Sequence, residues 1–274
     1  MKIITSILLK HLILRKYFSF FINQFLKIPL PWFFIKKIEK YANLAQGKGW
    51  TGSIVNEINS GLSLLKEDPK IFIDIGANKG IFTKYFIEKF PNIKGHLFEP
   101  SAHNYKLIFE RFSNIENIIC NKLALSDFSS NSILFSNSSG SGLASLTKRR
   151  LDHFDIEMNN KEEINVIRFE EYWEKHNELI DYVKIDVEGN ELDVLKGFGD
   201  HIYNVKLCQF EFGGTNIDTK TYFQDFWYFF IERQFKIYRI TPRGLMLIKE
   251  YKEDEELFKF TNFIAINNLF ENNK

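Results

Sequence analysis

Cysteine is scarce in this chain, with only Cys120 and Cys208 in 274 residues. Both sit in apolar, strand-like runs without metal-ligand spacing. They read as small buried hydrophobes rather than a disulfide or a zinc pair, which fits a reducing, cytoplasmic setting. Long hydrophobic runs are missing too. Lys10, Arg15, Lys16 and Lys27 break the N-terminal apolar stretches well short of the roughly 18 residues a membrane span needs. Ile3 to Leu9 is short, Lys10 follows it, and no small-residue cleavage site is evident, so a signal peptide is not expected either. Acid is absent before Glu39, where seven basic residues stand: Lys2, Lys10, Arg15, Lys16, Lys27, Lys36 and Lys37. Beyond that point 35 acidic residues face 29 basic ones. A mildly acidic body argues against nucleic acid as a partner.

The basic segment also carries Phe18, Phe20, Phe21, Phe25, Trp32, Phe33 and Phe34. Two readings stay open for residues 1–45, which pattern as two helices broken at Pro29-Leu30-Pro31. One is a helical cap on the rest of the protein or on a second subunit. The other is peripheral contact with an anionic, inner membrane surface. The expected division is a helical N-terminal segment over 1–50 and one domain over 51–270. Oligomeric state is not legible.

From Lys70 the periodicity changes. Ile71-Phe72-Ile73-Asp74-Ile75 is a continuous apolar run, as for a strand covered on both faces. Helical spacing follows over 81–89, a strand over 94–98, a helix over 102–112 and a strand over 118–124. Further strands are expected over 181–187, 205–212, 235–240 and 262–267, with helices over 191–195 and 222–233. Alternating strands and helices predict an α/β fold, Rossmann-like and doubly wound around a mostly parallel sheet.

The turn Asp74-Ile75-Gly76-Ala77-Asn78-Lys79-Gly80 joins the first strand to its helix. Glycine lets backbone approach a ligand, and parallel sheets bind ligands beyond the carboxyl ends of their strands. A pyrophosphate site wants three glycines at G-x-G-x-x-G. Here the spacing is D-x-G-x-x-x-G, and the leading aspartate suits a ligand carrying an ammonium group. That favours S-adenosylmethionine over NAD. Glu99 ends the second strand 25 positions after Asp74, where an acid accepts hydrogen bonds from ribose hydroxyls. Its other reading is an acid at a helix N-terminus.

Together with Phe98-Glu99-Pro100, Ala124-Leu125-Ser126-Asp127 and Lys184-Ile185-Asp186-Val187-Glu188-Gly189-Asn190-Glu191, the glycine turn resembles the FkbM family of S-adenosylmethionine-dependent methyltransferases. The likeness runs over about 71–235. It implies a seven-stranded sheet and O-methylation of a hydroxyl on a sugar, polysaccharide precursor or related metabolite. It places Asp74, Gly76 and Gly80 at the methionine end of the cofactor, with Ala77 and Asn78 in the same turn. Glu99 and Pro100 fall at the ribose, and Ser126 and Asp127 near the adenine.

Methyl transfer is an in-line displacement, and an unactivated hydroxyl gains from a positioned base. Asp186 is the first candidate for that role and Glu188 the second. Glu188 and Glu191 also read as helix-capping acids. Asp186, Glu188 and Glu211 are conceivable cation ligands, but no histidine joins them at metal spacing, and no metal is expected. His103 is a candidate neighbour of the cofactor. The Ser136 to Ser145 stretch reads as an acceptor-binding loop or a plain surface loop. Lys148, Arg149 and Arg150 read as a solvated charge run or a contact for an anionic acceptor. Two rivals remain: a non-catalytic scaffold, and an NAD or nucleotide-sugar enzyme.

Overall fold

The computed structural model describes residues 19, 23, 24, 27, 30–50, 52–176 and 178–271. Most of the first expected N-terminal helix, including Phe18, Phe20, Phe21 and Phe25, lies outside them. The chain forms two compact units, Met1–Ala42 and Asn43–Lys274. Helix α1 (Trp32–Ala45) starts where Pro31 accepts a hydrogen bond from the Phe34 N–H at 2.8 Å, a position that tolerates proline because no N–H is needed there. None of its residues is buried, and Trp32, Phe33 and Phe34 are exposed. Among the described residues no helix is long and apolar enough to cross a membrane.

The second unit opens with α2 (Ile54–Leu62), capped by Ser53, whose hydroxyl accepts from the Asn56 N–H. Then follow β1 (Ile71–Ile75), α3 (Ile81–Lys89), β2 (Lys94–Phe98), α4 (Ala102–Phe112) and β3 (Ile118–Asn121). After β4 (Ala124–Leu125), β5 (Ser130–Ser136), β6 (Asn160–Ile167) and α5 (Phe169–Trp173) come β7 (Ile180–Ile185), α6 (Glu191–Gly197) and β8 (Val205–Phe212). The chain finishes with α7 (Thr215–Thr219), α8 (Phe223–Ile231), β9 (Phe235–Thr241), β10 (Gly244–Ile248) and β11 (Thr261–Asn267).

One eight-stranded sheet runs in the order β10-β9-β11-β8-β7-β1-β2-β3. Strands β3, β2, β1, β7 and β8 are mutually parallel, and β11 is antiparallel to β8 and β9. Seven of these are the strands the family resemblance implies. The eighth is β10, an edge strand that folds back antiparallel on β9. It is mostly half-exposed, so it has neither the continuous apolar run of a central strand nor a clean alternation. The serine-rich region supplies a second sheet, β4-β6-β5.

Strand periodicity divides the core into two faces. Every residue of β1 and β7 is buried. Ile71, Ile73, Ile75, Val183 and Ile185 join one cluster with Phe169, Trp173, Phe198 and Phe210. Phe72 and Tyr182 join the other with Phe82, Phe86, Ile108 and Phe112. Phe72 stacks on Phe86 with ring centroids 4.2 Å apart. At the amino ends of the strands, Asp181 accepts from the N–H groups of Lys70 and Ile71 at 2.8 and 2.9 Å. That bond pins β1 against β7 and leaves the opposite, carboxyl edge to carry ligands.

Replacing Phe72 with alanine empties the centre of one face and should cost about 3–5 kcal/mol. Urea titration should show it as a lowered midpoint. Phe109→Ala, on an exposed helix face, should stay within about 0.5 kcal/mol of the parent.

Candidate active site

The carboxyl ends of β1 and β7 touch. The Asp186 N–H donates to the Ile75 carbonyl at 3.0 Å. Gly76 has φ +79°, and a Cβ there would collide with the Asp186 carbonyl, so only glycine fits this crossing. The Gly76 and Ala77 N–H groups both donate to the Phe98 carbonyl at 3.0 Å, which draws the end of β2 into the same place. Glu99 follows at once. Its two carboxylate oxygens accept from the N–H groups of Ser101 (2.9 Å) and Asn78 (2.8 Å). Glu99 thus serves the start of the helix and braces the glycine turn. Burial pushes its carboxyl up to about 7, against the pull of those two N–H groups.

A cavity of about 770 Å³, counting its open mouth, lies above these ends. Gly76, Asn78, Glu99, Pro100, Asn104, Asp186, Glu188 and Asn190 give it polar walls. Leu123, Ala124, Leu125, Leu134 and Leu146 give it an apolar end. The Ser136 to Ser145 stretch is neither a free loop nor a distant one, since Ser141, Gly142, Ala144 and Ser145 close one side of the cavity. Phe135 and Ser145 bridge its base. The Ser145 hydroxyl donates to the Glu188 carbonyl at 2.9 Å and accepts from Asn190 Nδ2 at 3.0 Å.

Beside this lies a second cavity of about 1000 Å³. The two share Gly76, Asn78, Gly142 and Asp186. Its other walls include Glu57, Phe82, Lys184, Gln209, Glu211 and Asn262.

Register explains the charges beneath. Asp74 pairs with Lys184, and Lys184 with Gln209, in one row across β1, β7 and β8. The Lys184 ammonium donates to Asp186 Oδ2 at 2.9 Å and stands 4.0 Å from Asp74 Oδ1. Burial lowers the Lys184 pKa, but Asp186 and Asp74 outweigh it and hold the group above its ordinary value. Asp74 is fully buried and accepts from the Thr83 hydroxyl. Burial pushes its carboxyl up, while Lys184 and Thr83 oppose the shift.

The structure brings Gly76, Asn78, Glu99, Pro100, Asp186 and Glu188 together around the first cavity, and puts Ala77 on the second. Asp74, Gly80, Ser126 and Asp127 line neither. Ser126 is buried, one residue beyond the lining Leu125. His103 packs against Gly140 and also lines neither cavity. The Glu188 carboxylate accepts from Arg149 Nη1 at 2.7 Å. Burial and Asp186 push its carboxyl up, and Arg149 pulls it down. Arg149 is therefore not part of a solvated run: its side chain is 9% exposed and also meets Asp218 at 3.4 Å. Glu191 accepts from the N–H groups of Val187 and Gly189, both at 3.0 Å, the capping role rather than a ligand-facing one. Among the described residues no group of three or more His, Cys, Asp or Glu side chains is arranged to hold a metal ion.

Asn104 and Lys184 were not singled out as site residues from sequence. Asn104 offered no motif, only its place one turn into the helix after Glu99. Lys184 stood inside the most specific motif, but its role emerges only from the cross-strand register.

The family model described as Methyltransferase FkbM domain matches residues 74–240, more than half the chain. The chain belongs to the FkbM methyltransferase family. No curated protein matches it. Among solved structures it is similar to a precorrin-6y C5,15-methyltransferase from Geobacter metallireducens GS-15, at 12% identity, 80% coverage of this chain, 90% of that one and a TM-score of 0.40. It is also similar to Aeropyrum pernix fibrillarin in complex with natively bound S-adenosyl-L-methionine (11%, 77%, 74%, 0.40). A third is the plantazolicin methyltransferase BpumL in complex with SAH (11%, 78%, 81%, 0.41).

This FkbM methyltransferase depends on S-adenosylmethionine, which supplies an electrophilic methyl group on a sulfonium. The first cavity fits it. Asn78 Oδ1 and Asn104 Oδ1 are buried without a hydrogen-bond partner, and both residues line the cavity. Such groups are costly unless a ligand donor reaches them. Each Glu99 oxygen keeps a lone pair for a ribose hydroxyl. The leucine-rich end suits a flat heteroaromatic base.

With its carboxyl pushed up to about 7, protonation of Glu99 would remove an acceptor open to a ribose hydroxyl. Calorimetric titration should therefore show S-adenosylmethionine affinity falling between about pH 8 and pH 6, by at most about tenfold per unit below the pKa. Glu99→Gln should bind weakly, with that pH dependence gone.

Proposed function

We propose that this chain methylates a hydroxyl oxygen of a sugar, a polysaccharide precursor or a related small metabolite. The observation that carries this reading is the position of Asp186, the one carboxylate common to both cavities. The cofactor takes the first cavity and the acceptor the second. An acceptor hydroxyl in the second then lies between Asp186 and the methyl group. Asp186 orients that hydroxyl and accepts its proton as the carbon–oxygen bond forms. Lys184 steadies Asp186 from below through its 2.9 Å bond. Glu188 is the weaker candidate, because Arg149 engages its carboxylate at 2.7 Å. A polyhydroxylated acceptor suits a chamber walled by Glu57, Gln209, Glu211 and Asn262. Family membership speaks against the NAD and nucleotide-sugar readings. A non-catalytic scaffold would have no need of unpartnered amides facing the cofactor cavity.

Transfer of a labelled methyl group to a panel of sugars and glycans, with mass spectrometry of the products, tests this directly. Oxygen-methylated product is expected. Methylation only at nitrogen or carbon would sink the oxygen assignment. Asp186→Asn should lower kcat by about a hundred- to ten-thousandfold. Its affinity for S-adenosylmethionine should stay within about threefold of the parent, less than 1 kcal/mol.

A further inference from the structure

The second cavity has a charge imbalance that methylation of a neutral hydroxyl does not require. Asp186, Glu57 and Glu211 all line it. They come from different elements: Glu57 from α2, Asp186 from the end of β7 and Glu211 from β8. Lys184 is the buried ammonium in this wall. It is committed to Asp186, with Asp74 as its second anion. Lys79, at the rim, donates through no side-chain hydrogen bond to any of the three, and no ion pair joins it to them.

The three carboxylates are not equally satisfied. Asp186 has Lys184. Glu57 accepts from Gln209 Nε2 at 2.9 Å. The Glu211 carboxylate has neither a hydrogen bond nor an ion pair with any described residue, although its residue lines the cavity beside Asn262, its partner across β11. Burial, together with Asp186, Glu191 and Glu188, pushes its carboxyl well above the ordinary range. A cation placed against Glu211 would offset that repulsion, and a neutral hydroxyl would not.

We propose that the acceptor of this methyltransferase carries a protonated amine, as in an amino sugar or another amino alcohol, and that Glu211 receives its ammonium while the hydroxyl faces Asp186. This rests on the second cavity being the acceptor site. The cofactor's own methionine ammonium is the other source of the same chemistry, and the two sources give different results.

Methyl glucosaminide and methyl glucoside are titrated into the full chain with S-adenosylhomocysteine present, for the parent and for Glu211→Gln. S-adenosylhomocysteine is titrated alone into both proteins as a control for folding and for the cofactor site. The parent should bind the glucosaminide about tenfold or more tightly than the glucoside. Glu211→Gln should lose that preference and keep its S-adenosylhomocysteine affinity. Equal binding of the two sugars, no saturable binding of either, or a preference that survives in Glu211→Gln overturns the proposal. So does a variant that retains the sugar preference but loses S-adenosylhomocysteine, because Glu211 would then serve the cofactor. A parent protein that fails to bind S-adenosylhomocysteine at all would instead count against the reading of the two cavities.

Discussion

A single buried ammonium holds the ligand edge of this sheet together. Lys184 lies in register between Asp74 and Gln209, and it bonds Asp186 just above. Burying one charge is costly, and burying several is tolerable only when they are paired and hydrogen-bonded. Lys184 allows Asp74 to sit at zero exposure inside an otherwise apolar layer, and it aims Asp186 at the space the two cavities share. The turns that line the two cavities are referred to this pair of strands. Gly76 packs on the Asp186 carbonyl, Glu99 braces the turn through Asn78, and Glu191 clasps the loop that follows Asp186.

The central strands were plain in the sequence for a physical reason. A strand covered on both faces is mostly apolar, and β1 shows it most plainly, with Asp74 its one polar residue, while β2 and β8 carry it in part. Helices α3 and α4 were equally plain, since each is bounded by a turn and spaced for one buried face. The edges were harder. Strand β10 is only partly covered, so selection on its pattern is weak. Strands β5 and β6 pair with each other outside the main sheet, and the polar residues they expose let only 132–135 and 165–169 read as strand. A serine-rich stretch between them says nothing of its closure over a cavity, because that depends on Ser145 meeting Asn190 and the Glu188 carbonyl across more than forty positions.

Site residues divide in the same way. Gly76, Asn78, Glu99 and Asp186 were legible as cavity residues because they follow the ends of β1, β2 and β7, and those ends meet at one edge. Asp74 was legible as unusual but not as internal. Its place one residue before the strand end turns its carboxylate to Thr83 and Lys184 instead of outward. Arg149 was illegible within Lys148-Arg149-Arg150, three cations of which the middle one turns in to Glu188 and Asp218 while Arg150 stays out with its side chain 88% exposed. Local sequence carries no record of which of three adjacent cations will find a buried anion.

The surplus of carboxylates around Asp186 also bears on turnover. Methyl transfer converts a sulfonium into a neutral thioether, and on the proposed mechanism the hydroxyl proton passes to Asp186 and from there to solvent. A chamber poorer in positive charge than in negative therefore holds the donor more firmly than the spent cofactor. The same electrostatic field that favours the cationic donor holds the neutral product less firmly, which helps its release.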